Sequence, residues 1–494
     1  MIVANASEVK PETRMLIDGK LVDAASGKVF DNVNPATEEV LGVVADGSED
    51  DMRRAIAAAR RAFDHTDWST DRSFRQHCLG QLQDAIESEQ EAFREELILE
   101  VGCPRRVTYG PQLDAPLEGA LRYPAKLIDS FEWETDLGDA DALGMPMSRR
   151  VWKEAAGVVG AIVPWNYPFE VSLNKLGQAL ATGNTVVLKP APDTPWNATR
   201  LGRLIAENTD IPAGVVNVVT SSDHLVGEAL TVSPQVDLIS FTGSTAVGKR
   251  IMEKGASTMK RLFLELGGKS ATIVLEDADF SQALMSGLAV CFHAGQGCAI
   301  QTRMLLPRSR YAEGVEILKA AMSAVPFGDP QDPEVIMGPV ISAKQRERVL
   351  SYIEKGVAEG ATLSLGGGRP ASQPKGWYVE PTLFSDVDNS MTIAQEEIFG
   401  PVLVVIPFDD DDDAVRIAND SKYGLAGGVF SGSFDRALAL TRRIRAGVMS
   451  VNGGAPYGPD VPFGGYKDSG VGRQNGTAGF EMYLETKSVA WPQQ

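Results

Sequence analysis

Two residues in this chain stand where a side chain can do covalent chemistry. Cys298 closes the run Phe292-His293-Ala294-Gly295-Gln296-Gly297-Cys298 and is followed by Ala299. Glycines on both sides of Gln296 let the backbone approach a ligand or take positive φ. A thiol at the end of such an approach can face a cleft while its own N–H points at a substrate oxygen. Glu265 lies thirty-three residues earlier, between Leu264 and Leu266 and ahead of Gly267-Gly268-Lys269. A carboxylate among leucines is costly unless it meets a donor or works as a base. The two fit a nucleophile and its base. A buried, inert thiol is the plain alternative for Cys298, because cysteine is among the most buried residue types.

The elements that must carry these residues alternate. Gly157–Pro164 reads as an apolar strand running into Trp165-Asn166-Tyr167-Pro168, with a helix over 169–180. Thr185–Pro190 is a near-continuous hydrophobic strand ending at Lys189, the kind a parallel sheet buries on both faces. A helix over 194–207, a strand over 215–219, a helix near 223–232 and a strand over 236–241 follow. The last strand stops at Thr242-Gly243-Ser244-Thr245 and enters a helix, whose free N–H groups suit a pyrophosphate. This alternation predicts a doubly wound sheet, in which ligands sit beyond the carboxyl ends of the strands. Asn166, Lys189 and Ser244 all fall there. A second α/β unit is expected from about 262, with strands over 270–275, 302–306, 377–383 and 402–406. Helices are expected over 280–290, 311–324 and 342–359.

The N-terminal portion reads as a hairpin over Met15–Val22, turning at Asp18-Gly19, and a turn at Asn34-Pro35. An amphipathic helix follows Ser48, and a helical run extends from Ser73 to Glu100. Residues 131–150 and the segment 481–489 read as strands of an exposed arm that pair with each other. Such an edge calls for cover by another copy of the chain. The run Asp409–Asp413 lacks the spacing of a calcium loop. It reads better as a solvated helix start with acidic residues at the favourable end.

Composition narrows the classes. A chain of 494 residues calls for two or three domains. A net charge of -19 disfavours nucleic acid and anionic membrane as partners. Four cysteines without a CxxC pair and four scattered histidines argue against a disulfide framework and against zinc. The first eight residues lack a basic region followed by an apolar run, and no segment has the length of a membrane span, so the cytoplasm is the expected compartment.

Taken together, the motifs resemble the aldehyde dehydrogenase superfamily of NAD(P)-dependent oxidoreductases over about residues 15–490. They are Pro164-Trp165-Asn166, Lys189-Pro190, Phe241–Thr245 with Gly248, Glu265–Lys269, Gly295–Cys298, Glu397-Ile398-Phe399-Gly400-Pro401 and Pro462-Phe463-Gly464-Gly465. The resemblance implies an α/β fold with two Rossmann-like open-sheet domains and a protruding β oligomerisation arm. The ranges it implies are a cofactor-binding domain over 1–130 plus 151–261, a thiol-bearing catalytic domain over 262–460, an arm and tail over 131–150 plus 480–494, and closing loops over 461–479. It implies Cys298 as nucleophile, Glu265 as general base and Asn166 as oxyanion donor. Lys189 and Glu397 match the holders of the ribose hydroxyls, Gly243 and Ser244 the pyrophosphate site, and Trp165 and Phe399 neighbouring cofactor contacts. Lys175 matches a lysine near the site whose role stays open. The cofactor implied is NAD, with NADP as the alternative, and no metal. The partner is a small aldehyde, and a homo-oligomer, tetramer or dimer, is implied.

Glu265 points to the hydrolytic branch, since a coenzyme-A-acylating member needs no carboxylate to activate water. Some positions depart from the common pattern. Gly297 and Ala299 are small beside the nucleophile, Asn174 replaces a frequent tryptophan, and Pro192 stands where a ribose-pairing glutamate is frequent, with Asp193 shifted by one. Tyr167, Glu170, Val171, Asn174, His293, Tyr457 and Phe463 are the expected tunnel residues, lining a roomy channel for a hydrophobic aldehyde, aliphatic, aromatic or terpenoid. A cysteine-dependent esterase or thioesterase without redox chemistry is the competing function. It leaves Lys189 and the 243–248 loop without a role.

Overall fold

The computed structural model describes residues 10–493; the leaderless reading of the first eight residues falls outside that span. The largest sheet has eight strands, in the order Lys20–Val22, Met15–Ile17, Val216–Val218, Thr185–Lys189, Val158–Ile162, Leu238–Thr242, Arg261–Glu265, Gly470–Val471. Its centre is parallel, from Val216–Val218 across to Arg261–Glu265. Because strand residues alternate faces, Val186 and Leu188 enter one core with the helices of residues 72–130, while Val187 enters another with Ile56 and Phe241. Burial on both faces explains why these strands are uniformly apolar.

A second, seven-stranded sheet runs Thr362–Leu365, Thr382–Ser385, Val402–Phe408, Gln301–Pro307, Ser270–Val274, Ala426–Phe430, Val448–Val451. It is parallel except at its first pair. Leu305 and Val404 face one core, Met304 and Val405 the other. The third layer is the arm: Glu134–Ala142 pairs with Met145–Ala155, which pairs along its length with the tail strand Leu484–Pro492. Two open α/β sheets and a β arm are thus the architecture, as the sequence predicts.

Several local expectations shift. The helical run from Ser73 to Glu100 is two helices, Arg72–Ser88 and Gln90–Val101. Glu89 between them leaves the helical region (φ -115°, ψ 19°) and accepts from Arg200 and Arg203. The second unit does not start at 262: Arg261–Glu265 pairs in parallel with Leu238–Thr242 and belongs to the first sheet. The strand expected over 377–383 forms only at Thr382–Ser385, since Trp377 is tied to Pro35 and Val340 instead of to a sheet. The helix expected over 280–290 is one α turn, Phe280–Ala283, followed by tighter turns that break at Phe292–Ala294. The aspartate run begins a helix: Asp410 caps Asp411–Asn419 by accepting from the Asp413 N–H. Among the described residues no helix is long and apolar enough to cross a membrane.

Candidate active site

The main cleft has a volume of about 1520 Å³ and collects residues from both sheets. Cys298, Glu265 and Asn166 line it together. Each arrives for a different local reason.

Glu265 ends the strand Arg261–Glu265, beside Thr242, and its carbonyl accepts from Gly243 N–H at 3.0 Å. The glycine pair that follows is where three segments converge. A Cβ on Gly267 would lie 2.5 Å from a Glu397 carboxylate oxygen, and one on Gly268 would lie 2.6 Å from the Cys298 carbonyl. Any side chain there would push the cysteine loop or Glu397 away.

The loop before Cys298 is fixed by its odd backbone. His293 and Ala294 take positive φ (49° and 52°), as does Gly295 (72°). A Cβ on Gly295 would meet the Gly400 carbonyl at 2.0 Å. Gln296 is fully buried: its side-chain oxygen accepts from Ile341 N–H at 2.9 Å, and its amide donates to the His293 carbonyl at 3.1 Å. Asn166 joins from the first sheet, its Nδ2 donating to the Gln296 carbonyl at 2.9 Å. The Asn166 carbonyl accepts from Gln112 Nε2 at 2.7 Å.

The electrostatics couple these groups. Burial pushes the Cys298 thiol well up, and the facing Glu265 pushes it further. Burial raises Glu265 to about 8, against the pull of Cys298 and Lys175. Lys175 is fully buried, its Nζ donating to Ser240 Oγ at 3.0 Å over the Phe263 ring, and burial lowers it to about 7. The resting pair therefore holds its protons near neutral pH: a thiol beside a carboxylic acid poised to become a base.

The other side of the cleft carries Trp165, Thr242, Gly243, Ser244, Glu397 and Phe399. Ser244 caps the helix Thr245–Gly255, whose N-terminus opens at the cleft. Trp165 and Phe399 stand edge to face with centroids 5.4 Å apart. Glu397 accepts from Gly268 N–H at 2.9 Å through one oxygen. The Thr242 hydroxyl is buried without a partner. Lys189 ends its strand outside this lining, with Pro190 carbonyl as its hydrogen-bond partner and with Asp193, Asp223 and Asp46 acting on its charge. A helix N-terminus, a carboxylate and two aromatic faces in one run suit a dinucleotide, with Lys189 beyond them.

The substrate side brings together Tyr167, Glu170, Val171, Asn174, Tyr457 and Phe463. His293 is not with them. It lies behind the wall, with no exposed surface, edge to face with Tyr167 at 5.6 Å, and burial lowers it to about 4. Its left-handed backbone turns it inward and turns its neighbour Phe292 out; Phe292 is 48% exposed and lines the cleft. Phe292, Gln112 and Gln474 are site residues that the sequence reading omits. Gln112 lies in an irregular turn over Thr108–Gln112, where Pro111 inside a helical stretch was a usable signal.

The family model described as aldehyde dehydrogenase family matches residues 21–489. Among solved structures, an aldehyde dehydrogenase of Mycobacterium tuberculosis complexed with NAD+ is 42% identical, with a TM-score of 0.93 over 97% of this chain and 98% of that one. A betaine aldehyde dehydrogenase of Staphylococcus aureus in complex with NAD+ is 35% identical, with a TM-score of 0.95 over 100% and 98%. A mutant of aldehyde dehydrogenase C of Pseudomonas syringae, complexed with NAD+ and octanal, is 39% identical, with a TM-score of 0.92 over 98% of each chain.

Proposed function

The chain belongs to the aldehyde dehydrogenase family, and from that premise we propose that it oxidises an aldehyde to the free carboxylic acid with NAD+. The observation that carries the reading is the meeting of Cys298, Glu265 and Asn166 in a cleft that continues to the helix N-terminus at Ser244.

In this mechanism Glu265 takes the Cys298 proton, and Sγ adds to the aldehyde carbon. The oxyanion receives Asn166 Nδ2–H and the Cys298 N–H. One such donor is worth about 3–4 kcal/mol in a water-excluded site. Bound nicotinamide supplies the oxidation by accepting hydride from the carbon held on sulfur. Glu265 then gives the Cys298 proton up to solvent. Water adds to the carbon of the resulting thioester as Glu265 takes the water's proton, and the C–S bond breaks to release the acid and return the Cys298 sulfur, reprotonated from Glu265. This second use of Glu265 supports the hydrolytic branch. Lys189 and Glu397 would hold the ribose hydroxyls, Gly243 and Ser244 the pyrophosphate, and Trp165 and Phe399 would make neighbouring cofactor contacts. Asp193 acts on the charge of Lys189 and favours NAD over NADP, because a 2′-phosphate would meet a carboxylate.

Tyr167, Val171, Tyr457 and Phe463 support a substrate with an apolar chain, in line with the octanal complex of the Pseudomonas syringae relative. We assign the cofactor to the first sheet and the nucleophile to the second, and assembly of a homotetramer or dimer to the arm. Four free cysteines support the cytoplasm as the compartment. Absorbance of reduced nicotinamide, followed with an aldehyde panel and NAD or NADP, tests the reading. Turnover is expected with NAD. Cys298→Ala is expected to abolish it while circular dichroism stays unchanged, and substantial surviving turnover would sink the mechanism.

A further inference from the structure

The helix Pro168–Ala181 carries a polar line whose first two members, Glu170 and Asn174, face the site. Glu170, Asn174 and Gln178 recur every four residues and so share one face. Gln178 lies beyond the cleft lining, where its side-chain oxygen accepts from the Asn475 N–H at 2.6 Å and its nitrogen donates to the Gly479 carbonyl at 3.2 Å. Asn174 and Glu170 both line the cleft, and the Glu170 carboxylate accepts from Asn174 Nδ2 at 3.4 Å, a long bond. Lys175, the next residue along, donates to Ser240 instead. Nothing positive offsets the burial of Glu170, and its proton affinity rises in consequence. Its surroundings in the cleft are Tyr167, Val171, Tyr457 and Cys298, none of them a cation. The cations of the lining, Arg106, Lys344 and Arg348, are all exposed.

A carboxyl on an otherwise aromatic and apolar wall costs free energy unless a donor completes it. A site built around a buried acceptor discriminates strongly against ligands that lack the matching donor. Resting on the aldehyde-oxidation reading, we propose that Glu170, steadied by Asn174, is a specificity-determining residue that selects aldehydes whose apolar chain carries a hydrogen-bond donor, an ammonium or a hydroxyl. The polar line on the helix then has a use that a purely hydrophobic substrate would leave idle. It also explains why Asn174 is an amide and not an aromatic wall: a flat ring there would take the space through which the donor reaches Glu170.

The test is kcat/KM over a series of linear aldehydes of increasing length, each with a terminal methyl, hydroxyl or ammonium group, for the wild type, Glu170→Gln and Glu170→Leu. At one chain length the wild type is expected to prefer a donor-bearing aldehyde over the methyl one by about tenfold or more. Glu170→Leu should collapse that ratio toward one. Glu170→Gln should keep the hydroxyl preference and lose the ammonium preference, which separates the two donor sources. A wild type that prefers the methyl series at every length, or a ratio unchanged in Glu170→Leu with a native melting temperature, overturns the inference. Absence of reduced nicotinamide with every aldehyde would instead overturn the dehydrogenase reading itself.

Discussion

Glu265 is proposed to work twice, and both tasks need its ionised form. A carboxylate serves as a base only when ionised. Burial raises Glu265 to about 8, so its basic form is scarce at pH 6 and grows as pH rises through that value. The steady-state rate is therefore expected to climb between about pH 7 and 9 and then level off. Glu265→Gln is expected to flatten that climb and lower steady-state turnover by about a hundredfold or more. A first burst of reduced nicotinamide should outlast the steady-state loss in rapid-mixing absorbance, because thioester cleavage needs the base most. At the adenosine end, Asp193→Ser is expected to narrow the preference for NAD over NADP by about tenfold, read as the ratio of the two kcat/KM values.

Single glycines decide how the elements meet. Gly295 lies at φ 72°, and its missing Cβ leaves room for the Gly400 carbonyl, so the cysteine loop can rest against the segment that bears Glu397 and Phe399. Gly295→Ala is expected to lower kcat by about a hundredfold or more through displacement of Cys298. Thermal unfolding with and without NAD should show a smaller loss of stability than of turnover. A second junction rests on Glu100, fully buried at the end of the helix Gln90–Val101. Its carboxylate accepts from the N–H groups of Trp196 and Asn197, opening the helix Trp196–Asn208, and from the Asn32 and Asn197 amides. Glu100→Ala strands four donors in the interior and is expected to cost about 3 kcal/mol or more in urea denaturation.

Across the whole molecule, the arm is a sheet with little core of its own. The strand Met145–Ala155 is half-buried at best, and the tail strand Leu484–Pro492 covers one of its edges. Tyr483, just before the tail, is buried, and its carbonyl accepts from Ala156 N–H and Asn184 Nδ2. Truncation after Leu484 keeps that anchor and bares the edge. Light scattering is expected to show loss of the proposed homo-oligomer and a rise in larger aggregates, since an unpaired strand edge recruits other chains.

Much of this was legible along the chain. Periodicity located the buried parallel strands and most helices, because burial on two faces demands apolar runs. The cysteine at the end of a glycine-rich approach and the glutamate among leucines marked the proposed reacting groups, because each is a costly or permissive arrangement without a purpose. The chain order could not say that Arg261–Glu265 belongs to the first sheet, with Gly470–Val471 on its outer side, since strand pairing is decided by tertiary contacts. Nor could it turn His293 into the core and Phe292 into the cleft, an exchange set by three residues of positive φ that only the packed loop imposes. Sequence by itself determined which groups are candidates to react and which strands are buried. The tertiary structure decided which of those groups face one another, because the approach of Glu265, Cys298 and Asn166 depends on glycine contacts between segments that local propensity does not connect.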